Sequence, residues 1–184
     1  MNRKKIVTNY SLSIVLILLV LFGSGCGANL TSVNRTAKSD DEIADETVEL
    51  IIEAIENKDV DALTAMFSPE VLDTMDMELF GEKAEELFSV WSGNMVEYDG
   101  ELSTSKKTKS GNVIRKITGF YDIETTETMC HLLFMSTVQD EGNEDAEGIS
   151  MIVYVSDELR QLEGFYWQYG NREPGIYVDT QMPK

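Results

Sequence analysis

His131 is the only histidine in the chain, and Cys26 and Cys130 are its only cysteines. A zinc site draws several converging ligands from these residue types, so the supply is too thin for one, and neither a metal nor another cofactor is expected. His131 is then a candidate general base, a role that also needs an electrophilic partner for the substrate. A hydrogen-bonded interior histidine fits the same residue with fewer demands. Cys130 lies in the apolar run 129–135, where a cysteine behaves as a small buried hydrophobe. Neighbouring residues of a strand point to opposite faces, which separates Cys130 from His131 and removes the base a thiolate nucleophile would use. The chain has no GxGxxG, GxxxxGK or HExxH spacing, the patterns that cradle phosphates or hold a catalytic zinc. On these grounds the chain reads as a non-enzyme.

Two further groups have binding chemistry. Asp140, Glu141, Asn143, Glu144, Asp145 and Glu147 offer the hard oxygens that calcium prefers, but no central glycine and distant glutamate stand in the register of an EF-hand loop. The cluster reads as a solvated hairpin tip. Trp91, Tyr121, Tyr154, Tyr166, Trp167 and Tyr169 combine apolar rings with polar tips, as pocket linings and interfaces do. Trp91, Tyr121, His131, Tyr154 and Trp167 are the candidate ligand-binding residues, with ordinary sheet-on-helix core as the competing reading. In an extended segment Phe165, Trp167 and Tyr169 share one face and Tyr166 takes the other, a candidate surface for a homodimer through the sheet.

Cys26 belongs to a different pattern. Arg3, Lys4 and Lys5 precede the unbroken apolar run 14–22, and Gly23, Ser24 and Gly25 lead into the cysteine. Nine helical residues reach only about 14 Å, half of a bilayer core, so the run reads as a signal peptide over 1–25 and not as a span. The small residues before Cys26 resemble the lipobox of bacterial lipoproteins, although Gly23 stands where leucine is usual. That resemblance implies a diacylglycerol on the Cys26 thiol and anchoring on the extracytoplasmic face of the cell membrane. An ordinary secretory signal with an incidental cysteine is the alternative. Residues 26–38 are polar and aperiodic, a lipidated cysteine and tether that extends to about 40 Å at most. Loss of 1–25 removes three cations and no acid, taking the formal charge from -18 to -21. Such a body repels polyanions, so nucleic acid is excluded as a partner. Attachment to the bilayer is then expected from the lipid alone.

The elements that must position these residues follow from periodicity. Ser39 and Glu42 form a capping box ahead of Ile43, Ala44, Val48, Leu50, Ile51, Ile52, Ala54 and Ile55, while Asp45, Glu46, Glu49, Glu53 and Glu56 crowd the opposite arc as a solvated acidic face. Asn57-Lys58-Asp59 breaks this helix, a short helix runs through Leu63 to Phe67, and Ser68-Pro69 starts a third. Phe80, Ala84, Leu87, Phe88 and Trp91 keep helical spacing up to Ser92-Gly93. The period then drops to two, with strands expected at 95–106, 113–123, 129–138, 149–155 and 165–169. Helices first and hairpins after predict an α+β domain over 39–178, with N-terminal helices packed on an antiparallel sheet and a tail at 179–184.

The run Ile55-Glu56-Asn57-Lys58-Asp59-Val60-Asp61-Ala62-Leu63 with Met66-Phe67-Ser68-Pro69 resembles the first helical hairpin of nuclear transport factor 2-like domains, which pack helices on a curved sheet to form a cone. Taken with Leu87-Phe88, Gly93-Asn94-Met95-Val96, Tyr98-Asp99, Gly148-Ile149 and Pro174-Gly175-Ile176, it is similar to a family of uncharacterised lipoproteins of Gram-positive bacteria that carries only a domain of unknown function. That resemblance implies a membrane-anchored lipoprotein with a non-catalytic domain that binds a small ligand or an envelope protein. The wider fold also holds isomerases and dehydratases with an Asp or His base inside the cone. This implies an alternative, a small-molecule isomerase or hydrolase, for which the catalytic candidates are Asp122 and His131.

Overall fold

A computed structural model describes residues 38–167 and 169–181. Cys26, the segment 1–25, the tether up to residue 37 and residues 182–184 lie outside the described residues.

α1 (Asp40–Asn57) starts where the Ser39 hydroxyl accepts the Glu42 N–H at 3.2 Å and the Glu42 carboxylate accepts the Ser39 N–H at 2.9 Å, so the capping box closes. Lys58, in the left-handed region, ends it. Asp59 caps α2 (Val60–Met66), Ser68 caps the single turn α3 (Pro69–Leu72), and Asp76 caps α4 (Met77–Val90), each by accepting a backbone N–H of the first turn. These short polar caps satisfy donors that a helix start leaves free. None of the described helices is long and apolar enough to cross a membrane.

Three hairpins join β1 (Met95–Lys109), β2 (Asn112–Thr125), β3 (Met129–Asp140) and β4 (Gly148–Ser156) into an antiparallel meander. Register shifts after Met95, Arg115 and Met135 mark bulges, which bend strands. The result is a mixed α+β domain with an open five-stranded sheet in the order β1-β2-β3-β4-β5.

The fifth strand corrects the reading of residues 165–169. That segment is irregular, and β5 is Gly175–Asp179, parallel to β4. A parallel neighbour needs a crossover of a dozen residues or more. The chain supplies one between Ser156 and Gly175 through the single turn α5 (Asp157–Arg160) and an aromatic stretch, so the sheet is not wholly antiparallel. The alternation of Phe165, Trp167 and Tyr169 mimics a strand because these rings all lie down on one sheet face, where they pack with Phe120 and Met135. Those rings are therefore committed to the chain's own sheet. β5 takes in Asp179, the first residue of the segment read as a tail.

The opposite face of the sheet carries the helices. Ile51, Ile55, Leu63, Phe80 and Leu87 meet Ile117, Leu132, Phe134 and Ile152 in one buried cluster. Burial of each such side chain contributes about 1.5–3 kcal/mol. Leu50 falls outside it at 40% exposure. The acidic arc of α1 is not simply solvated: Asp45 accepts the Tyr121 hydroxyl at 3.0 Å, Glu49 the Tyr98 hydroxyl at 2.8 Å and Glu56 the Met95 N–H at 2.5 Å. One flank of that arc faces β1 and β2, whose polar groups need acceptors.

Candidate functional site

Buried side chains pack between helices and sheet, with a polar opening of about 270 Å³ left between α1 and β1–β2 beside Tyr98 and Tyr121. Tyr121 stacks on Phe134 with centroids 6.1 Å apart and meets Tyr98 edge-on at 5.6 Å. It lies flat because Gly119 stands beside it: a β-carbon there would sit 2.6 Å from Phe134 and 2.7 Å from the Tyr121 ring, and one at Gly100 would also strike that ring. Tyr154 is buried with its hydroxyl 3.4 Å from the Val90 carbonyl. Trp91 closes α4 against the same cluster, and its Nε1 is buried with no partner among the described residues. Cys130 faces this core too, where burial pushes its thiol pKa up to about 12. A thiol in that state is a packing group and not a nucleophile.

His131 points to the other face, as alternation along β3 predicts. It is 5% exposed, and cross-strand pairing sets it opposite Asp122 of β2. Its Nδ1 stands 2.6 Å from Asp122 Oδ1 and its Nε2 3.4 Å from Asp157 Oδ1, the first residue of α5. The Gln161 amide donates to the second Asp157 oxygen at 2.6 Å. The two catalytic candidates are thus brought together, with a second carboxylate, Asp157, that the sequence did not single out. Both ring nitrogens face carboxylate oxygens of the chain itself, the Asp122 contact being the shorter. Among the described residues no group of three or more His, Cys, Asp and Glu side chains is placed to hold a metal ion.

The five candidate ligand-binding residues do not converge. Trp91, Tyr121 and Tyr154 belong to the helix side, His131 and Trp167 to the other. Trp167 sits edge-on to Phe120 at 5.7 Å and to Phe165 at 5.6 Å. The acidic loop between β3 and β4 uses its oxygens internally: Glu141 accepts the Val113 N–H at 2.8 Å and Glu147 the Asp140 N–H at 2.9 Å.

Periodicity missed a cleft. Between the α3–α4 connection and the start of β5 is an opening of about 360 Å³, floored by Met75, Leu79, Phe80 and Ile176 and rimmed by Asp76, Lys83 and Glu173. Leu79 is 51% exposed there. Pro174 and Gly175 form part of its wall, so the quoted Pro-Gly-Ile run was the one sequence signal for it. Beyond the wall Arg172 donates to Asp179 at 2.7 Å and lies 4.6 Å over the Tyr177 ring. That ion pair and ring contact steady the loop on which the wall depends.

Residues 50–157 match the domain of unknown function DUF5104. The chain belongs to that family. The matched stretch holds Asp122, His131 and Asp157, while the β5 wall of the cleft and the aromatic cover lie beyond it. No curated protein matches the sequence.

Proposed function

We propose that this DUF5104 protein is a bacterial lipoprotein, held through Cys26 on the extracytoplasmic face of the cell membrane, whose domain binds a small ligand or a segment of an envelope protein without catalysis. The apolar cleft between α4 and β5 carries the binding reading, because its volume and its apolar floor with a few charged rim groups are those of ligand sites. The nuclear transport factor 2-like cone and kinship with lipoproteins of Gram-positive bacteria belong to the same proposal. Helices on one face of a bulged sheet support them, although the cone interior is occupied by side chains. The burial of His131, 5% exposed between strands, supports a non-catalytic domain over an isomerase or hydrolase using Asp122 or His131.

Two measurements test the proposal. Cys26→Ala should leave the membrane fraction or accumulate as uncleaved precursor; unchanged membrane retention of a processed chain would remove the anchor. A photo-crosslinking residue at Leu79, in the full chain in its own envelope, should give a discrete adduct that the same residue at Leu50 does not. Identical adducts from both positions would remove the cleft as the binding site.

A further inference from the structure

The domain is strongly acidic, yet residues 102–121 hold five cations and no acid: Lys106, Lys107, Lys109, Arg115 and Lys116. The fold gathers them in one place. β1 and β2 pair from Met95 to Lys109, and Lys106 lies directly across from Arg115. Ile117, opposite Thr104, is the last buried residue of the hairpin before its turn, while β3 accompanies β2 as far as Ile114, opposite Asp140.

Arg115 has a structural task, bridging Asp40 at the start of α1, and its Nη2 also donates to the Lys38 carbonyl at 3.4 Å. Lys106, Lys107, Lys109 and Lys116 are exposed and have no carboxylate partner among the described residues. The nearest acids along the sheet, Asp140 and Glu141, flank β2 on its β3 side, whereas three of these lysines stand on β1, one strand further out. At the base of the hairpin is a polar hollow of about 350 Å³ lined by Thr104, Ser105, Lys106, Arg115 and Gln139 as well as Asp40.

Lys38 is the last residue of the tether read from the sequence, and its contact with Arg115 puts the hairpin at the same end of α1 as that attachment. We infer that the β1–β2 hairpin is a second membrane contact, which sets the lysines of its outer strand on anionic phospholipid headgroups. The inference rests on the lipid-anchor reading for its geometry, and it differs from the expectation that the lipid acts alone. A tether of a dozen residues leaves orientation free; a basic patch against an anionic leaflet removes that freedom. Lysines on an edge strand also discourage sheet-to-sheet pairing, a role indifferent to lipid charge.

The full chain, purified from cells that process it, is labelled with a fluorophore at Ser110→Cys and mixed with phosphatidylcholine vesicles, with and without phosphatidylglycerol, containing a headgroup quencher. Flotation with neutral vesicles reports the anchor. Quenching reports the hairpin. In anionic vesicles the ratio of headgroup-bound to free tips should rise on the order of tenfold, fall back in raised salt, and be lost in the K106E/K107E/K109E variant. Lys58→Glu, at the far end of α1 and about 27 Å from Asp40, should change nothing. If the chain floats on neutral vesicles and quenching ignores lipid charge, the hairpin contact is wrong and the anchor stands. Where it does not float on neutral vesicles, salt-sensitive flotation on anionic ones, lost in the triple variant, upholds the hairpin and sinks the anchor. No flotation on either overturns both, and a triple variant that only self-associates assigns the lysines to edge protection.

Discussion

Three tyrosines and one cysteine tie the pH limit of this protein to burial. The Tyr98 hydroxyl is pushed up to about 12, first by burial and then by its bond to Glu49, and burial takes Tyr154 and Cys130 up to about 12 as well. Tyr121 moves further in the same direction, through burial and the Asp45 carboxylate. A group whose folded pKa is raised contributes stability that is complete below its unfolded value and lost as pH climbs through the folded one. Urea stability should therefore begin to fall near pH 9, where the unfolded thiol of Cys130 ionises, and keep falling through about 12 as the tyrosines follow. Tyr121→Phe should weaken the alkaline fall while losing the bond to Asp45. An alkaline limb that this substitution leaves unchanged would show that the ring does not sit in the dry core. At this scale the sequence identified Tyr121, His131 and Cys130 as residues with consequences, and it separated Cys130 from His131 through strand alternation. Asp157 stayed hidden, because its approach to His131 depends on where β4 ends.

At the scale of elements, the junction between α2 and β4 rests on one glycine. Phe67 bridges Ile149, and the Ser68 N–H donates to the Ile149 carbonyl at 3.0 Å. Gly148 has φ +134, and a β-carbon on it would lie 2.7 Å from Ser68 N and 2.9 Å from Ser68 Cα, backbone atoms that cannot swing aside. Gly164 also has positive φ, at +83, but nothing lies within 4 Å of its missing β-carbon. Gly164→Ala should then cost about 1 kcal/mol, whereas Gly148→Ala should cost about 3 kcal/mol or more, read as urea midpoints at constant slope. Equal losses would mean that strain alone, without the close approach, governs Gly148. The caps Ser39, Asp59, Ser68 and Asp76 work through bonds two or three residues away, and the starts at Ser39 and Ser68 are legible for that reason, whereas Asp59 reads as a break and Asp76 is not singled out.

For the whole molecule, the segment 157–174 does two jobs: it carries the chain across the sheet to a parallel β5, and its rings cover Leu133, Met151, Val153 and Val155. Arg160 lies 5.2 Å over Phe165 and steadies one end of that cover. Replacing Phe165 and Trp167 together with alanine should bare the face, raise binding of an apolar dye and shift sedimentation toward a dimer, since open apolar sheet faces of this kind associate. A double variant that stays monomeric and dye-free would show that other residues keep the face closed.

The sequence by itself determined the acidic body, the capped start of the first helix, the four hairpin strands and the change of period at Gly93. All of these are written in contacts between residues close along the chain or in a repeat of two or 3.6. Only the tertiary structure decided that Phe165, Trp167 and Tyr169 cover a sheet and do not extend it, and that Gly175–Asp179 runs parallel to β4. It also gathered Asp122, His131 and Asp157, opened the cleft beside β5 and set a basic hairpin next to Lys38. The reason is physical: a parallel strand, a triad drawn from three elements and a cleft between a helix and an edge strand are set by long-range closure, and local periodicity carries no record of which distant segment closes on which.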